Sequence, residues 1–240
     1  MPRQSRRRSA SSVSLSQHLL RDQSVADRII ASTGLAPPSL VFDLGAGDGA
    51  LTAAIAKRGC RVVAVEIDRA LWARLKARFR DEPCVEPVLA DLLQVELPRR
   101  ARYALVSNVP FALTARLMRR LQDLPNPPQD AWLVMQAEPA QKWAGLGHET
   151  QASVLLKLRF EVEVVVGLRR GDFTPRPSVD CVVVRLRRRS PPLLTGGHAG
   201  RFEAMVRRAF SGPESARARE LSLEDWVGRH NAMVTRQRAR

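Results

Sequence analysis

Cysteine is scarce in this sequence, and long apolar runs are missing from it. The three cysteines are far apart and form no C-x-x-C pair, which argues against a zinc ribbon or a disulfide framework: Cys60, Cys84 and Cys181. We therefore expect reduced thiols in a cytoplasmic protein. No stretch is apolar enough for a membrane span, and the basic N-terminus lacks the apolar segment of a secretory signal.

Histidine is equally sparse. Three of the four histidines have no ligand-like spacing and are predicted to be surface residues: His148, His198 and His230. The sequence therefore predicts no metal site, and we expect no membrane partner.

Positive charge is in clear excess. The chain has 39 Lys and Arg against 24 Asp and Glu in 240 residues, a formal net charge of +15. Such an excess favours a polyanionic partner, nucleic acid before membrane, because each cation placed on a phosphate releases a condensed counterion. The alternative is a solvated basic surface with no specific partner.

The order of runs along the chain predicts an α/β fold. Residues 1–13 are rich in Arg and Ser and are expected to form a disordered basic arm. A helix is predicted from about Ser14 to the prolines Pro37 and Pro38. Over residues 14–189, β-branched runs alternate with amphipathic segments, which predicts a doubly wound parallel sheet. EVEVVVGLRR and VDCVVVRLRRR follow each other without a helix, so we expect an antiparallel edge hairpin.

Residues 190–240 are predicted to form a small basic helical appendage. SPPLLTGGHAG, residues 190–200, is a Pro/Gly-rich linker by composition. RFEAMVRRAF and LSLEDWVGRHNAMV after it are interpreted as basic helices. This tail is too small for a large independent core.

A glycine-rich turn, VFDLGAGDGALT, joins the first strand of the sheet to a helix. Glycines at such a point let the backbone turn sharply and approach a ligand closely. Gly45, Gly47 and Ala50 fit the dinucleotide pattern, whereas Asp43 with Gly45, Gly47 and Gly49 fits the pattern of methyltransferases. The turn alone does not separate the two cofactor classes.

Two carboxylates follow the next strands. Glu66 in VAVEID could accept hydrogen bonds from both hydroxyls of a ribose, which indicates an adenosine-type cofactor without choosing between NAD and S-adenosylmethionine. Asp91 in LADLLQ could accept the amine of a cofactor adenine. The alternative for each region is a cap: Asp68 is predicted to cap the helix after Glu66, and Asp91 could cap a short turn.

The sequence NVPF, Asn108 to Phe111, ends a further strand and matches the N-x-P-[YF] pattern of enzymes that methylate an exocyclic amine. The lone pair of that amine is delocalised into the ring, so two hydrogen-bond acceptors are needed to favour attack: the Asn108 side-chain oxygen and a backbone carbonyl, Val109. Pro110 stiffens the turn, and Phe111 offers a face on which a base can stack. The alternative is an ordinary turn with a core Phe.

Taken together with LSQHLL and FTPRPSVDCVVVRL, these segments occur in the order of a known family. The chain resembles the rRNA adenine N6-methyltransferases, which include the Erm-type 23S rRNA enzymes and the 16S rRNA dimethyladenosine transferases, from about Ser14 to Arg189. The resemblance implies a Rossmann-like class I methyltransferase sheet and S-adenosyl-L-methionine as cofactor. It implies the following cofactor-binding residues: His18, Leu20, Gly45, Gly47, Glu66, Ile67, Asp91, Leu92 and Asn108. It implies a catalytic turn of Asn108, Val109, Pro110 and Phe111, and target-base or RNA contacts from Phe111, Phe173 and Arg176.

Three positions depart from the family pattern. Leu19 stands where Phe is usual, Asp43 where Glu is usual, and Phe111 where many members have Tyr. The short basic tail resembles that of the Erm-type enzymes, so we expect a monomer that acts on 23S rRNA, free or in pre-50S particles, and confers resistance to macrolide, lincosamide and streptogramin B antibiotics. The alternatives are a 16S rRNA dimethyltransferase of ribosome biogenesis, a non-catalytic rRNA-binding assembly factor, and an NAD-dependent oxidoreductase, which would leave NVPF unexplained.

Overall fold

Strands and helices alternate along the part of the chain that the computed structural model describes, residues 18–194 and 197–238. In chain order the elements are β1 (Leu19–Leu20), α1 (Gln23–Ala31), β2 (Leu40–Leu44), α2 (Ala50–Ala56), β3 (Arg61–Glu66), α3 (Arg69–Arg78), β4 (Val85–Leu89), β5 (Ala104–Asn108), α4 (Thr114–Asp123), β6 (Asp130–Gln136), α5 (Ala137–Ala144), α6 (Gln151–Lys157), β7 (Phe160–Leu168), β8 (Phe173–Thr174), β9 (Cys181–Arg188), α7 (Gly197–Ser211), α8 (Ser215–Ala218) and α9 (Leu223–Arg238). The disordered arm predicted for residues 1–13 lies outside the described residues.

The main sheet has seven strands in the order β4-β3-β2-β5-β6-β9-β7. The first five are parallel, and β9 runs antiparallel to both of its neighbours, β6 and β7. The predicted doubly wound sheet with an antiparallel edge hairpin is therefore confirmed. Two apolar clusters pack on opposite sides of the sheet, one with α1 and α2 and the other with α4 and α5.

The strand order reverses between β2 and β5, and this point fixes where a ligand binds. In a doubly wound sheet, the loops that leave such neighbouring strands run to opposite faces and open a crevice at the carboxyl ends. The glycine-rich turn follows β2, and NVPF follows β5. A hydrogen bond of 2.5 Å from Ser107 Oγ to the Leu44 carbonyl joins the two strands just below the crevice.

The helix predicted from Ser14 is wrong over residues 18–22. Leu19 and Leu20 form β1, which pairs with β8, and α1 begins only after Asp22. The carboxylate of Asp22 accepts a hydrogen bond from the Val25 N–H and so caps the helix, as expected for an Asp at this position. The amphipathic pattern from Val25 onward is confirmed.

The predicted linker, residues 190–200, is also too long. Residues 197–200 already belong to α7, because two glycines and a small Ala are tolerated in the first turn of a helix whose later residues are packed. Helices α5 and α6 were not predicted, because they are only 8 and 7 residues long and are separated by the left-handed residue Gly145.

The C-terminal helices pack against α6. Phe202 and Val206 of α7 contact a cluster that contains Val154 and Leu155 of α6 and Trp226 of α9. His230, predicted at the surface, is instead fully buried, where its ring lies 5.8 Å from that of Phe202. None of the helices in the described ranges is long and apolar enough to cross a membrane.

Candidate active site

The glycine-rich turn leaves β2 with a strained backbone that only glycine adopts easily. Gly45, Gly47 and Gly49 have φ values of +77°, +59° and +86°. The N–H groups of Gly45 and Ala46 both donate to the Val65 carbonyl, at 2.8 and 2.9 Å, which holds the turn against β3. The turn therefore has a fixed shape at the crevice.

Gly49 has a second, steric role. A Cβ added there would lie 2.7 Å from both Leu75 and Phe79, at the end of α3. At Gly45 the added Cβ would meet only ordinary contacts, 3.5 Å from Leu92. Gly49 thus allows α2 and α3 to pack closely. Gly45 instead lies at the crevice, near Leu92 of the loop after β4 and Pro110 of the loop after β5.

Glu66, at the end of β3, is buried beneath the turn. Its Oε2 accepts a hydrogen bond from the Gly47 N–H, and its Oε1 accepts from the N–H groups of Ile67 and Asp68, each at 2.9 Å. A carboxylate has about four lone-pair sites, so this arrangement leaves about one for a ligand. The side chain of Ile67 points outward and is 56% exposed, an apolar face beside a carboxylate.

Asp68 caps α3, as predicted, by accepting from Ala70 N and Leu71 N. Asp91 also acts as a cap, because its Oδ1 accepts from the Leu93 N–H at 2.8 Å. Among the described residues, its Oδ2 accepts a hydrogen bond only from the exposed Gln94 amide, at 3.2 Å. The cap and a contact to a ligand amine are therefore compatible, since they use different oxygens.

The loop that carries Asp91 and Leu92 is tied to the helix that follows NVPF. Arg120 of α4 donates to the carbonyls of Leu92 and Val95. The guanidinium is half-buried, and its burial lowers the pKa of Arg120. Arg120 was missed in the sequence, because no local pattern distinguishes it from the neighbouring arginines of α4.

Asn108, at the end of β5, has its side-chain amide fixed by the N-terminal segment. Asn108 Nδ2 donates to the His18 carbonyl at 2.8 Å. A carbonyl only accepts, so the amide nitrogen must face His18, and Oδ1 must lie on the other branch of the side chain. The Pro110 carbonyl accepts from Leu113 N at 2.7 Å, which starts a short 3₁₀ turn at Phe111.

The ring of His18 lies over the same turn. Its centroid is 4.9 Å from that of Phe111, and its Nδ1 is 2.7 Å from the Pro175 carbonyl. A pocket of only about 10 Å³ is lined by these residues: His18, Leu19, Gly45, Asn108, Val109, Pro110 and Phe111. That volume is close to the space needed by one water molecule, so in this arrangement the pocket has no room for a base.

We call residues 18–20 together with β8 the strap, because they cross the carboxyl end of the sheet. Leu20 and Phe173 are buried in its underside, at 6% and 2% exposed. Leu19, not Leu20, reaches the turn: its Cδ2 would lie 3.0 Å from a Cβ added at Gly47. Because its side chain is buried, any contact of Leu20 with a cofactor would come from its backbone. Arg176 is exposed and lies just after the strap in the chain.

Asp43 lies fully buried directly below the turn. Thr52 Oγ1 donates to its Oδ2 at 2.6 Å, and its Oδ1 has no hydrogen-bond partner among the described residues. Burial raises the pKa of Asp43 to about 7; the Thr52 hydroxyl opposes this rise, and the nearby Glu66 charge adds to it. In the sequence this residue was interpreted only as part of the glycine pattern.

A family model described as ribosomal RNA adenine dimethylase matches residues 8–229. The chain belongs to this family. Membership confirms the expected class, an rRNA adenine methyltransferase with S-adenosylmethionine as cofactor. The residues fit this cofactor: the neighbouring strands β3 and β4 end in or are followed by the carboxylates of Glu66 and Asp91, Ile67 after Glu66 is exposed and apolar, and the glycine-rich turn donates to Glu66.

The relatives include a resistance protein as well as a small subunit rRNA methyltransferase. The chain is 35% identical to the rRNA adenine N-6-methyltransferase of Saccharopolyspora erythraea over 197 residues, 82% of this chain and 51% of the relative. It is 35% identical to the mycinamicin-resistance protein MyrB of Micromonospora griseorubida, over 83% of this chain and 63% of the relative. It is 31% identical to the ribosomal RNA small subunit methyltransferase A of a Synechococcus species, over 88% of each. The chain thus spans about half the length of the Saccharopolyspora relative.

Among solved structures, the chain is similar to the 23S rRNA methyltransferase ErmE. The TM-score is 0.75 at 33% identity, over 88% of this chain and 84% of ErmE. This likeness extends past the sheet into the helical C-terminal region. It supports the Erm-type resemblance that the sequence motifs indicated.

Proposed function

We propose that this protein transfers a methyl group from S-adenosylmethionine to N6 of an adenine in 23S rRNA. The observation that carries the proposal is the fixed orientation of Asn108, whose Nδ2 donates to the His18 carbonyl. The amide oxygen is thereby left as an acceptor for one proton of the target amine. The Pro110 carbonyl is already used by Leu113, so we assign the second acceptor to the Val109 carbonyl.

These two acceptors are what the reaction needs. The amine of adenine is a weak nucleophile until its lone pair is withdrawn from the ring, and acceptors on both of its protons favour that geometry. When bound, S-adenosylmethionine supplies a methyl group activated by a sulfonium. The ring of Phe111 provides the stacking face, which the base takes over from His18.

The rest of the crevice is assigned to the cofactor. We propose that Glu66 binds the ribose, that Ile67 and Leu92 flank the adenine, and that Asp91 Oδ2 accepts the adenine amine. The turn at Gly45 and Gly47 would then hold the methionine part. Support comes from the placement of these groups around one crevice and from the carboxylates, which suit a cationic sulfonium.

The choice of 23S rRNA rests on the likeness to ErmE and on the resistance protein among the relatives. Methylation of the drug-binding adenine would then block macrolide, lincosamide and streptogramin B antibiotics sterically, and the enzyme would act as a cytoplasmic monomer on free rRNA or pre-50S particles. A 16S rRNA dimethyltransferase is the second candidate, because the Synechococcus relative aligns over 88% of both chains.

The test is incubation with labelled S-adenosylmethionine and naked 23S or 16S rRNA, followed by mapping of the modified nucleoside. We expect label at N6 of adenine in 23S rRNA. Asn108→Ala should lower kcat by roughly 10²- to 10³-fold, the usual cost of one transition-state hydrogen bond, while RNA binding is kept. Asn231→Ala, an exposed asparagine of α9, is the matched control and should be fully active.

Each other outcome has a definite meaning. Label in 16S rRNA alone would establish the second candidate. An Asn108→Ala variant with unchanged kcat would refute the role given to the amide oxygen. Label in neither RNA with wild type would refute the proposed function and would favour a non-catalytic effect on assembly.

A further inference from the structure

An open groove of about 800 Å³ runs between α7 and α9. Its lining comes from one stripe of each helix and the turn that follows α7: Arg201, Ala204, Met205, Arg208, Ala209, Gly212, Pro213, Glu214, Trp226, Arg229 and Met233. The opposite stripe of α7, with Phe202 and Val206, is the one that packs on α6. The α7–α9 groove therefore lies outside the crevice of the sheet.

Three guanidinium groups line the α7–α9 groove. Arg201 and Arg208 are exposed and Arg229 is half-buried, and within residues 18–194 and 197–238 no carboxylate forms a salt bridge with any of them. Arg207, one position away on α7, differs in that Glu203 pairs with it. A single acid, Glu214, lies at the end of the groove. Three unpaired cations around one groove are suited to an anion.

The floor of the groove is apolar. Met205 and Met233 are half-buried and form the surface that a bound group meets, whereas Trp226 is 1% exposed and stacked on Phe210 at 5.8 Å. The Trp226 Nε1 is itself buried, so it is closed to a group bound in the groove.

We propose that the α7–α9 groove binds a single unstacked nucleotide of the RNA substrate, with its base against Met205 and Met233 and its phosphate among the three arginines. A nucleotide combines the two features that the groove selects, a flat apolar face and a negative charge. The floor offers only two large accessible side chains, enough for a base but short for an amphipathic helix. The inference rests on the proposed function in that RNA is the substrate.

The charge half of the proposal is tested with Arg201→Gln, Arg208→Gln and Arg229→Gln combined, and with Arg207→Gln as the matched control on the same helix. Binding to naked 23S rRNA is measured at several salt concentrations. The triple variant should weaken binding and lower the slope of log Kd against log salt by about 0.7, the contribution of the one phosphate of single-stranded RNA that the three arginines share. Arg207→Gln should leave both unchanged.

The base half is tested by photo-crosslinking of rRNA that carries 4-thiouridine, followed by mass spectrometry of the labelled peptides. We expect crosslinks to α7 and α9 within the groove. Met233→Glu should abolish these crosslinks and weaken rRNA binding by about tenfold, the order of one base stack. Circular dichroism checks that the variants remain folded, and Met205→Glu is the second variant if one of them does not.

The two proposals fail in different ways. If wild type labels neither rRNA, the proposed function fails. If wild type labels rRNA but the triple variant and Met233→Glu bind it as tightly as wild type, the groove proposal fails alone. A dimer in sedimentation that Met233→Glu dissociates, with rRNA affinity unchanged, would show that the groove holds a second copy and would also overturn it.

Discussion

Replacing Asp43 by Asn should stabilise the protein at neutral and alkaline pH. The carboxyl is fully buried, with one oxygen on Thr52 and the other without a partner, and burial raises its pKa from 3.8 to about 7. A group with a raised pKa contributes stability that is fully present below pH 3.8 and is lost as the pH rises through 7. At about 1.4 kcal/mol per pH unit, the loss amounts to about 4 kcal/mol.

Asn imitates the protonated form of Asp43. Its oxygen can accept from Thr52, and its amide occupies the place of the neutral hydroxyl, so the cost of an unpaired buried donor is similar in both proteins. The free energy of unfolding of wild type and Asp43→Asn should therefore agree to within about 1 kcal/mol below pH 4. At pH 8 the variant should be the more stable by about 4 kcal/mol.

The measurement is urea unfolding from pH 4 to pH 8.5, with stability read as the difference between each variant and wild type. Asp81→Asn, at an exposed aspartate, is the control and should show no comparable rise with pH. A difference for Asp43→Asn that is flat across this range would refute the argument that burial keeps this carboxyl protonated. So would a variant that is less stable than wild type at pH 8.

Two further predictions concern packing and buried charge. Gly49→Ala should lower the free energy of unfolding by about 3 kcal/mol, because it adds a Cβ 2.7 Å from two side chains at the end of α3 and strains a backbone with φ +86°. The control Gly34→Ala, with φ +71° and open space around it, should cost about 1 kcal/mol. Equal losses for the two variants would mean that the clash relaxes freely. Lys157→Met should cost about 3 kcal/mol, because it leaves the buried Glu149 carboxylate without its cation. Lys142→Met, from an exposed pair, should leave stability nearly unchanged in the same denaturant assay. Similar losses for both variants would refute the burial argument.

The crevice could be predicted from the sequence because it is built from strand ends. Parallel strands place their carboxyl ends at one edge of the sheet, so Glu66, Asp91 and Asn108, each at or just after the end of a predicted strand, were expected at the same edge. The fold of residues 40–136 follows from the same periodic pattern. Short elements such as α5 and α6 carry too few residues for a period to show.

The strap could not be predicted, because it depends on a contact between distant segments. β1 and β8 have two residues each and are more than 150 residues apart in the chain, so neither has a strand pattern of its own. The pairing nevertheless decides the chemistry, since it places the His18 carbonyl on the Asn108 amide. Arg120 is a similar case, a single side chain whose backbone partners lie in another loop.

Glu66 shows most clearly what the sequence does not reveal about the physical state of a candidate residue. The sequence interpretation had it accept hydrogen bonds from both hydroxyls of a ribose, yet three backbone N–H groups already donate to its two oxygens. Two of these, from Ile67 and Asp68, belong to its own turn, whereas the third comes from Gly47 in the glycine-rich turn. Only the Gly47 bond joins two loops, and only it can be released without disrupting the turn after β3. A ribose with two hydroxyls on Glu66 must therefore replace the Gly47 N–H, so cofactor binding and the conformation of the glycine-rich turn are coupled through this carboxylate.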